Sequence, residues 1–394
     1  MRIAIIGPEF PPSTGGQQEY AAHVALELHR RGHRVVVFSR VGNIGRDPGY
    51  EVRDVLRGRQ WCDRQSLASL AGFDVVHAMN AAWCWVSTLG KPTFLSIHGN
   101  DFISPNPVYG YDIKRRFNLP KGDRLDLWLA QRRTRAMMDK CLPLCRSIFA
   151  NSDYTKRVFL SRYPGCEGRV VKAGVGVGTL FIDASAPART RATVPSMLTV
   201  CRLSEPRKNV DLVLRALARL KSDFGFHYTV VGEGDQKGAL TQLAAELGLL
   251  DRVRFTGRVT DAELRSHYRQ TDLFVLPSGV SSTSFEGFGI VYLEANAMGV
   301  PTMALRAAGA TEAVDEGRSG FFVEKEDVAS IESGLRSFLS GERVFKAEDC
   351  RSFAAGFSWG QVVGTFERSY ESALRHTEKA FQLKRAADQR ALRI

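Results

Sequence analysis

Arg2-Ile3-Ala4-Ile5-Ile6, the loop Gly7-Pro8-Glu9-Phe10-Pro11-Pro12-Ser13-Thr14-Gly15-Gly16, and then Val35-Val36-Val37-Phe38 make up the stretch that decides the fold class. An apolar run with no polar alternation predicts a strand buried on both faces, as in parallel sheets. Ala21, Val24, Ala25 and Leu28 recur at helical spacing, so 17–31 is expected to be a helix with one apolar face. Gly32 ends that helix, and 35–38 is the next strand. The unit is βαβ, with its glycine- and proline-rich loop at the carboxyl end of the first strand.

The same alternation runs outward from this unit. Further strands are expected at 74–77, 93–97 and 147–150. The pattern weakens into Gly, Ala, Pro and Thr over 178–195, the expected linker. A second series follows, with strands at 197–201, 227–231, 252–256, 273–276, 302–305 and 321–323. Helices separate them at 209–220, where Asn209 is a candidate cap, at 236–247, at 261–270, and from 289 to the stop at Gly299-Val300-Pro301. After about 326 the chain is expected to be helical. The fold class is therefore α/β, with two Rossmann-like doubly wound domains. The expected division is 1–180, 181–358, and a terminal segment 359–394 with a helix and a basic tail. Open sheets of this type bind ligands outside the carboxyl ends of their strands, so a cleft between the two domains is the expected site.

Composition agrees with this and removes other classes. With 394 residues the chain is longer than one core of about 250–300 residues supports. Hydrophobic residues at 44% and charged residues at 24% are incompatible with a mainly disordered chain. No apolar run reaches the roughly 18 residues that a membrane-spanning helix needs. The 54 Lys and Arg exceed the 42 Asp and Glu by 12, which suits nucleic acid, an anionic membrane surface or anionic small molecules. Seven cysteines, Cys62, Cys84, Cys141, Cys145, Cys166, Cys201 and Cys350, show no disulfide framework and no zinc set. Reduced thiols point to the cytoplasm, and Ile3–Ile6 is too short for a secretory leader.

Six segments could carry chemistry. Ser284-Phe285-Glu286-Gly287-Phe288-Gly289-Ile290-Val291-Tyr292-Leu293-Glu294 places two carboxylates eight residues apart around a helix start. Glycine-flanked amides there suit a phosphate, and carboxylates suit sugar hydroxyls. Arg202 and Lys208 stand at a strand-to-helix junction, where two cations could clamp a diphosphate. Gly15 and Gly16 precede a helix but match no dinucleotide or phosphate-loop fingerprint, and a tight turn is the plain alternative. His98 ends a strand before Gly99, where functional and structural readings balance. Gly232, and the pair Arg258 and Val259, leave strand ends where backbone groups could read a base.

Taken together these residues resemble the family 4 retaining glycosyltransferases of the GT-B fold over nearly the whole chain. Glu286 to Glu294 resembles the family's E-x7-E motif, Arg202 and Lys208 its diphosphate clamp, Gly15-Gly16 its N-terminal glycine loop, and His98 its H-G-x-D-like strand end. The resemblance implies that Glu294 holds ribose hydroxyls and Glu286 the hydroxyls of the transferred sugar. It implies that Arg202 and Lys208 stabilise the departing diphosphate and that His98 contacts the donor sugar. Gly287, Phe288, Gly289 and Ile290 would line the donor. The donor would be a UDP- or GDP-sugar, with no cofactor and no required metal. The acceptor would be a glycan or lipid-linked glycan of bacterial polysaccharide, lipopolysaccharide or glycolipid assembly. The resemblance implies transfer with retention, either by front-face attack or through a covalent intermediate, and no nucleophile is evident. The Ser-rich lead-in 278–285 and Ala307-Ala308-Gly309 depart from the family pattern beside the donor sugar, which leaves donor identity open.

The basic stretch from Lys114-Arg115-Arg116 to Arg132, Arg133 and Arg135 could meet anionic headgroups at the inner face of the cytoplasmic membrane, or be a solvated helix face. The tail with Lys379, Lys384, Arg385, Arg390 and Arg393 has the same two readings. A GT-B sugar-nucleotide epimerase is the alternative activity, and the E-x7-E segment argues against it. A basic nucleic-acid-binding protein is the weaker alternative; no recognition-module signature accompanies the charge, so nucleic acid is not an expected partner.

Overall fold

The computed structural model describes residues 1–11, 15–40, 48–56, 70–105, 123–182 and 193–391. Cys62, Lys114-Arg115-Arg116, Arg393 and positions 183–192 of the expected linker lie outside these residues. The chain forms two compact units, Met1–Gly174 with Trp359–Ile394, and Val175–Ser358.

The first unit holds seven parallel strands: β1 (Arg2–Ile6), β2 (Arg34–Ser39), β3 (Glu51–Asp54), β4 (Val75–Ala78), β5 (Thr93–Ile97), β6 (Ser147–Ala150) and β7 (Val170–Lys172). Their order is β3-β2-β1-β4-β5-β6-β7. Ile3 pairs with Val35 on one side and Val75 on the other, so β1 lies where the strand order reverses. Helices α1 (Gly16–Arg30), α2 (Asn100–Ile103), α3 (Asp123–Cys141) and α4 (Asp153–Arg162) connect them. The apolar face of α1 is Ala21, Val24, Ala25 and Leu28, all buried, as its spacing predicts. β3 and β7 are absent from the sequence expectations because they are edge strands. Glu-Val-Arg-Asp and Val-Val-Lys carry no buried apolar run.

The second unit repeats the plan with six parallel strands: β8 (Ser196–Val200), β9 (His227–Val231), β10 (Val253–Gly257), β11 (Leu273–Leu276), β12 (Thr302–Leu305) and β13 (Gly320–Val323). The order β10-β9-β8-β11-β12-β13 reverses between β8 and β11. Among the described residues six α-helices accompany it: α5 (Val210–Leu220), α6 (Lys237–Glu246), α7 (Asp261–Arg269), α8 (Ile290–Ala297), α9 (Val328–Leu339) and α10 (Ala347–Ala355). Val210, Val213, Leu214, Leu217 and Leu220 bury one stripe of α5 in the core that Met197 and Tyr228 also enter. Each such side chain contributes about 2 kcal/mol of burial. Asn209 corrects an expectation. It occupies the cap position of α5, but its left-handed backbone (φ 57°) turns the amide away from the helix amides. The side chain instead donates to the Pro277 carbonyl at 2.8 Å and to Glu326 Oε1 at 2.9 Å.

The last helix, α11 (Trp359–Ala391), belongs to the first unit. Val362, Val363, Phe366, Tyr370 and Ala373 form its buried stripe. The Phe366 ring lies 4.3 Å from that of Phe149 on β6, and Tyr370 lies 4.6 Å from Phe94 on β5. His77 on β4 completes the seam. Its Nδ1 pairs with the Tyr370 hydroxyl at 2.5 Å and its Nε2 with Ser96 Oγ at 2.9 Å.

Candidate active site

In the second unit the chain leaves β8 at Val200 and re-enters helix at Val210, and it leaves β11 at Leu276 and re-enters helix at Ile290. These two loops lie at the carboxyl ends of adjacent strands, on either side of the strand-order reversal. That is where open α/β sheets bind ligands. The first loop carries Arg202, Glu205, Arg207 and Lys208, and the second carries Ser284 and Glu286.

The loops meet through charge. Lys208 Nζ donates to Glu286 Oε2 at 2.5 Å, and Arg207 reaches the same oxygen at 3.4 Å. Arg207 also donates to Glu205 Oε2 at 2.5 Å and to Ser284 Oγ at 2.7 Å. Glu205 Oε1 accepts from Arg202 at 2.6 Å. The Arg202 side chain is 56% exposed, whereas those of Arg207, Lys208 and Glu286 are 8%, 12% and 13% exposed. Arg202 therefore offers its charge to solvent, while the other groups neutralise one another in a dry environment. Burial raises the Glu286 carboxyl, but Lys208 and Arg207 outweigh it and hold the group down at about 2. Burial likewise opposes ionisation of Glu205, and Arg207, Lys208 and Arg202 pull it below the usual range.

Eight residues beyond Glu286, Glu294 sits in the second turn of α8 and is buried. The Tyr268 hydroxyl at the end of α7 donates to its Oε2 at 3.0 Å. Between the acids, Gly289 takes φ +90° at the start of α8, and a Cβ there would lie 2.4 Å from the Tyr292 ring. Only glycine fits both demands. The backbone N–H of Gly309 donates to the Glu286 carbonyl at 2.9 Å, so the 307–309 loop braces the acid from behind. Ala308 in that loop has φ +51°.

Gly232 follows β9 and has a packing reason of its own, since a Cβ there would lie 1.8 Å from the Cys201 carbonyl oxygen. The backbones of the two loops pair directly, Leu203 N–H donating to the Glu233 carbonyl at 2.8 Å. Gly232 N–H in turn donates to the Gly257 carbonyl at 3.0 Å, which sets Arg258 and Val259 beside it. Arg202, Lys208, Gly232, Arg258, Val259, Glu286–Ile290 and Glu294 thus share one end of the second sheet.

Gly15, Gly16 and His98 belong to the first unit. Gly15 precedes α1 with φ +151°, and His98 follows β5. Asp101 shapes the His98 turn. Its Oδ1 accepts from the His98 and Gly99 amides at 3.0 and 2.8 Å, and its Oδ2 from the Ala81 amide at 2.9 Å. The His98 ring packs edge-on to Tyr20, 4.7 Å between centroids, and its buried Nε2 has no hydrogen-bond partner among the described residues. Burial lowers this imidazole to about 4, so it is neutral near pH 7.

Sequence reasoning missed Glu205, Arg207, Tyr268 and Asp101. Arg207 and Glu205 were visible as charges flanking Lys208, but nothing in the sequence marks which charge is buried. Tyr268 carries no local signal, because its contact with Glu294 is made only in the fold.

Two doubly wound parallel-sheet units, one with a charge cluster at its switch point, are the GT-B type of architecture. Two family models match consecutive parts of the chain: Glycosyltransferase Family 4 over residues 14–177, and Glycosyl transferases group 1 over residues 185–355. The chain belongs to the family 4 glycosyltransferases of GT-B type, and it is a glycosyltransferase. It is 33% identical over 201 residues to a GDP-mannose-dependent alpha-(1-6)-phosphatidylinositol monomannoside mannosyltransferase of Mycolicibacterium smegmatis, covering 49% of this chain and 52% of that protein. It is 28% identical over 410 residues to a D-inositol 3-phosphate glycosyltransferase of Geodermatophilus obscurus, covering 93% and 87%. The solved sucrose-phosphate synthase of Thermosynechococcus elongatus shares the fold, with a TM-score of 0.74 at 18% identity, covering 95% of this chain and 99% of that one.

Proposed function

We propose that this glycosyltransferase moves a hexosyl group, with retention, from a nucleoside-diphosphate sugar to a glycan or lipid-linked acceptor. The observation that supports it most is the cluster Arg202, Lys208 and Glu286 at the switch point, with Glu294 in the second turn of the helix that follows. In this reading Glu294 holds the ribose hydroxyls and Glu286 the hydroxyls of the transferred sugar. The amides of Gly287, Phe288, Gly289 and Ile290 line the donor. Gly232, Arg258 and Val259 border the base. Gly15, Gly16 and His98 are assigned to the donor sugar and its phosphate by the family resemblance. The transition state separates an oxocarbenium-like sugar from a diphosphate that takes the bonding electron pair and gains one negative charge. Fixed cations are worth more there than in the ground state. Arg202 and Lys208 supply the charge that a divalent ion supplies elsewhere, so metal independence is part of the proposal.

A GDP-sugar, GDP-mannose first, is the donor to test before UDP-sugars. A relative 33% identical over about half its length is named for that donor. Its lipid acceptor favours a glycolipid over a polysaccharide or lipopolysaccharide product. Helix α3 supports work at an anionic membrane surface. Leu127 and Trp128 are exposed on it, and the Arg132 guanidinium lies 5.5 Å from the Trp128 ring centre. Exposed Trp and Leu among arginines suit the headgroup region of a bilayer. No helix among the described residues is long and apolar enough to cross a membrane.

The test is a thermal-shift panel of GDP, UDP, ADP and their sugar conjugates with EDTA present, followed by transfer from the donor that shifts most. A GDP-linked shift in EDTA with transfer to a mannolipid acceptor is expected. Loss of every shift in EDTA overturns metal independence. No shift with any nucleotide, with or without a divalent ion, overturns the donor site.

A further inference from the structure

Arg207 carries a charge that the proposed chemistry does not use. It is buried, and its guanidinium meets Ser284 Oγ at 2.7 Å, Glu205 Oε2 at 2.5 Å and Glu286 Oε2 at 3.4 Å. Its own carbonyl accepts from the Gly279 amide at 2.7 Å, so it fixes the Ser-rich loop at both ends. For stability alone, a well-packed apolar side chain serves as well as a buried ion cluster. The third cation therefore calls for a different reason.

The reason lies in what happens to Glu286 when a donor arrives. Lys208 and Arg207 share one oxygen of Glu286. A diphosphate draws Lys208 toward itself. A carboxylate only 13% exposed would then be left in a dry site, which is strongly unfavourable. Arg207 is held from the other side by Glu205 and Ser284 and does not have to move. We propose that Arg207 is a positioning residue that remains as the counter-charge of Glu286 when Lys208 turns to the donor diphosphate. This rests on the donor reading given above.

Removing Arg207 then has a specific consequence. Lys208 becomes the main counter-charge of Glu286, so nucleotide binding requires either breaking that pair or protonating the acid. The ionisable groups acting on Glu286 are Lys208, Arg207 and Glu205 on the loop after β8, Cys201 at its start, and Tyr292 on α8. Burial keeps Cys201 and Tyr292 protonated. The carboxylates Glu286 and Glu205 are thus the groups able to take up a proton; Glu205 also holds Arg202 at 2.6 Å, and a Glu286→Gln background separates the two.

The experiment is calorimetric titration of the full chain with GDP and UDP, at pH 7, in two buffers of different ionisation enthalpy. Arg207→Met is expected to weaken binding about tenfold or more and, relative to the wild type, to add uptake of close to one proton. In a Glu286→Gln background the same change is expected to cost less than threefold, with no added uptake. Arg207→Lys is expected to recover most of the affinity. Equal weakening in both backgrounds overturns the proposal by placing Arg207 on the diphosphate itself. Weakening without proton uptake, or no weakening, overturns it by leaving Arg207 a structural tie. Arg207→Gln keeps a donor for Ser284 and carries the same test if the Met variant does not fold. A wild type that binds neither nucleotide overturns the donor reading, a result separable from any response of the Arg207 variants.

Discussion

Lys208 Nζ lies 2.5 Å from Glu286 Oε2, so the lysine of the proposed diphosphate clamp is itself paired with a carboxylate of the same site. Binding at this site is then an exchange of partners and not a simple gain of a charge pair. The diphosphate must compete with Glu286 for Lys208, which keeps ground-state affinity modest. The full charge is realised as the leaving group develops its own.

Lys208→Met should therefore lower turnover more than donor affinity. A fixed cation on a leaving group contributes about 3 kcal/mol to the transition state, or roughly a hundredfold in kcat. Melting should shift little, because Arg207 stays on Glu286. Steady-state kinetics with the donor varied check this, and wild-type kcat removes Lys208 from the clamp.

The Glu286 carboxyl gives a pH prediction. Its folded value of about 2 lies below the ordinary 4.5, so its ion pairs contribute stability in full above pH 4.5. That contribution is lost as pH falls from 4.5 toward 2, where the folded state must also take the proton. The stability difference between wild type and Glu286→Gln should be constant from pH 8 to about 5 and shrink below that. Urea unfolding at a series of pH values measures it. A difference that grows as the solution is acidified contradicts the pairing.

Tyr268→Phe removes the hydroxyl that donates to Glu294 at 3.0 Å without emptying its space. A hydrogen bond to a buried carboxylate contributes about 1.5 kcal/mol, so nucleotide affinity should fall about tenfold as the acid loosens. kcat at saturating donor should hold, because Glu294 is assigned to the ribose and not to the reacting carbon. An unchanged Kd for GDP and UDP would mean that Glu294 is positioned without its tyrosine.

Much of this site was legible before the fold was known, and the boundary has a physical basis. Strand β1 could be read because Ile3–Ile6 is buried on both faces. β3 and β7 could not, because edge strands need no apolar run. Glu286 and Glu294 announce themselves by spacing within one segment. Tyr268 and Glu294 are 26 residues apart and meet only once α7 and α8 pack. Arg202 and Arg207 look alike as letters, yet one is mostly in water and the other buried, a difference made by the loop after β11. Asn209 looks like a helix cap and is one by position. Its amide was taken by Pro277 and Glu326, residues far along the chain.

Ala308 departs from glycine at a position with φ +51°, in the loop that braces Glu286. The left-handed region costs an alanine about 1 kcal/mol or more, of which glycine gives back part through its freer unfolded chain. Ala308→Gly should raise the stability of the second unit by about 0.5 kcal/mol. A lower urea midpoint would show that the methyl group contributes packing worth more than the strain.

The seam between α11 and the first sheet yields the last prediction. His77 is buried between the Tyr370 hydroxyl and Ser96, and burial, assisted by His98, lowers its imidazole to about 3 against an ordinary 6.5. Between those two values the unfolded chain binds a proton that the folded chain refuses. Stability is therefore fully present above pH 6.5 and falls on acidification, by about 1.4 kcal/mol per pH unit for this one residue. His77→Asn keeps a polar side chain at the seam and removes the titration. From pH 6.5 to pH 5 the wild type should lose about 2 kcal/mol more than His77→Asn in urea unfolding of the first unit. His98, also lowered by burial, gives both proteins a common additional slope, so the difference between them isolates His77. Parallel pH profiles would mean that His77 titrates in the fold as it does in the unfolded chain, so that burial at the seam does not hold it neutral.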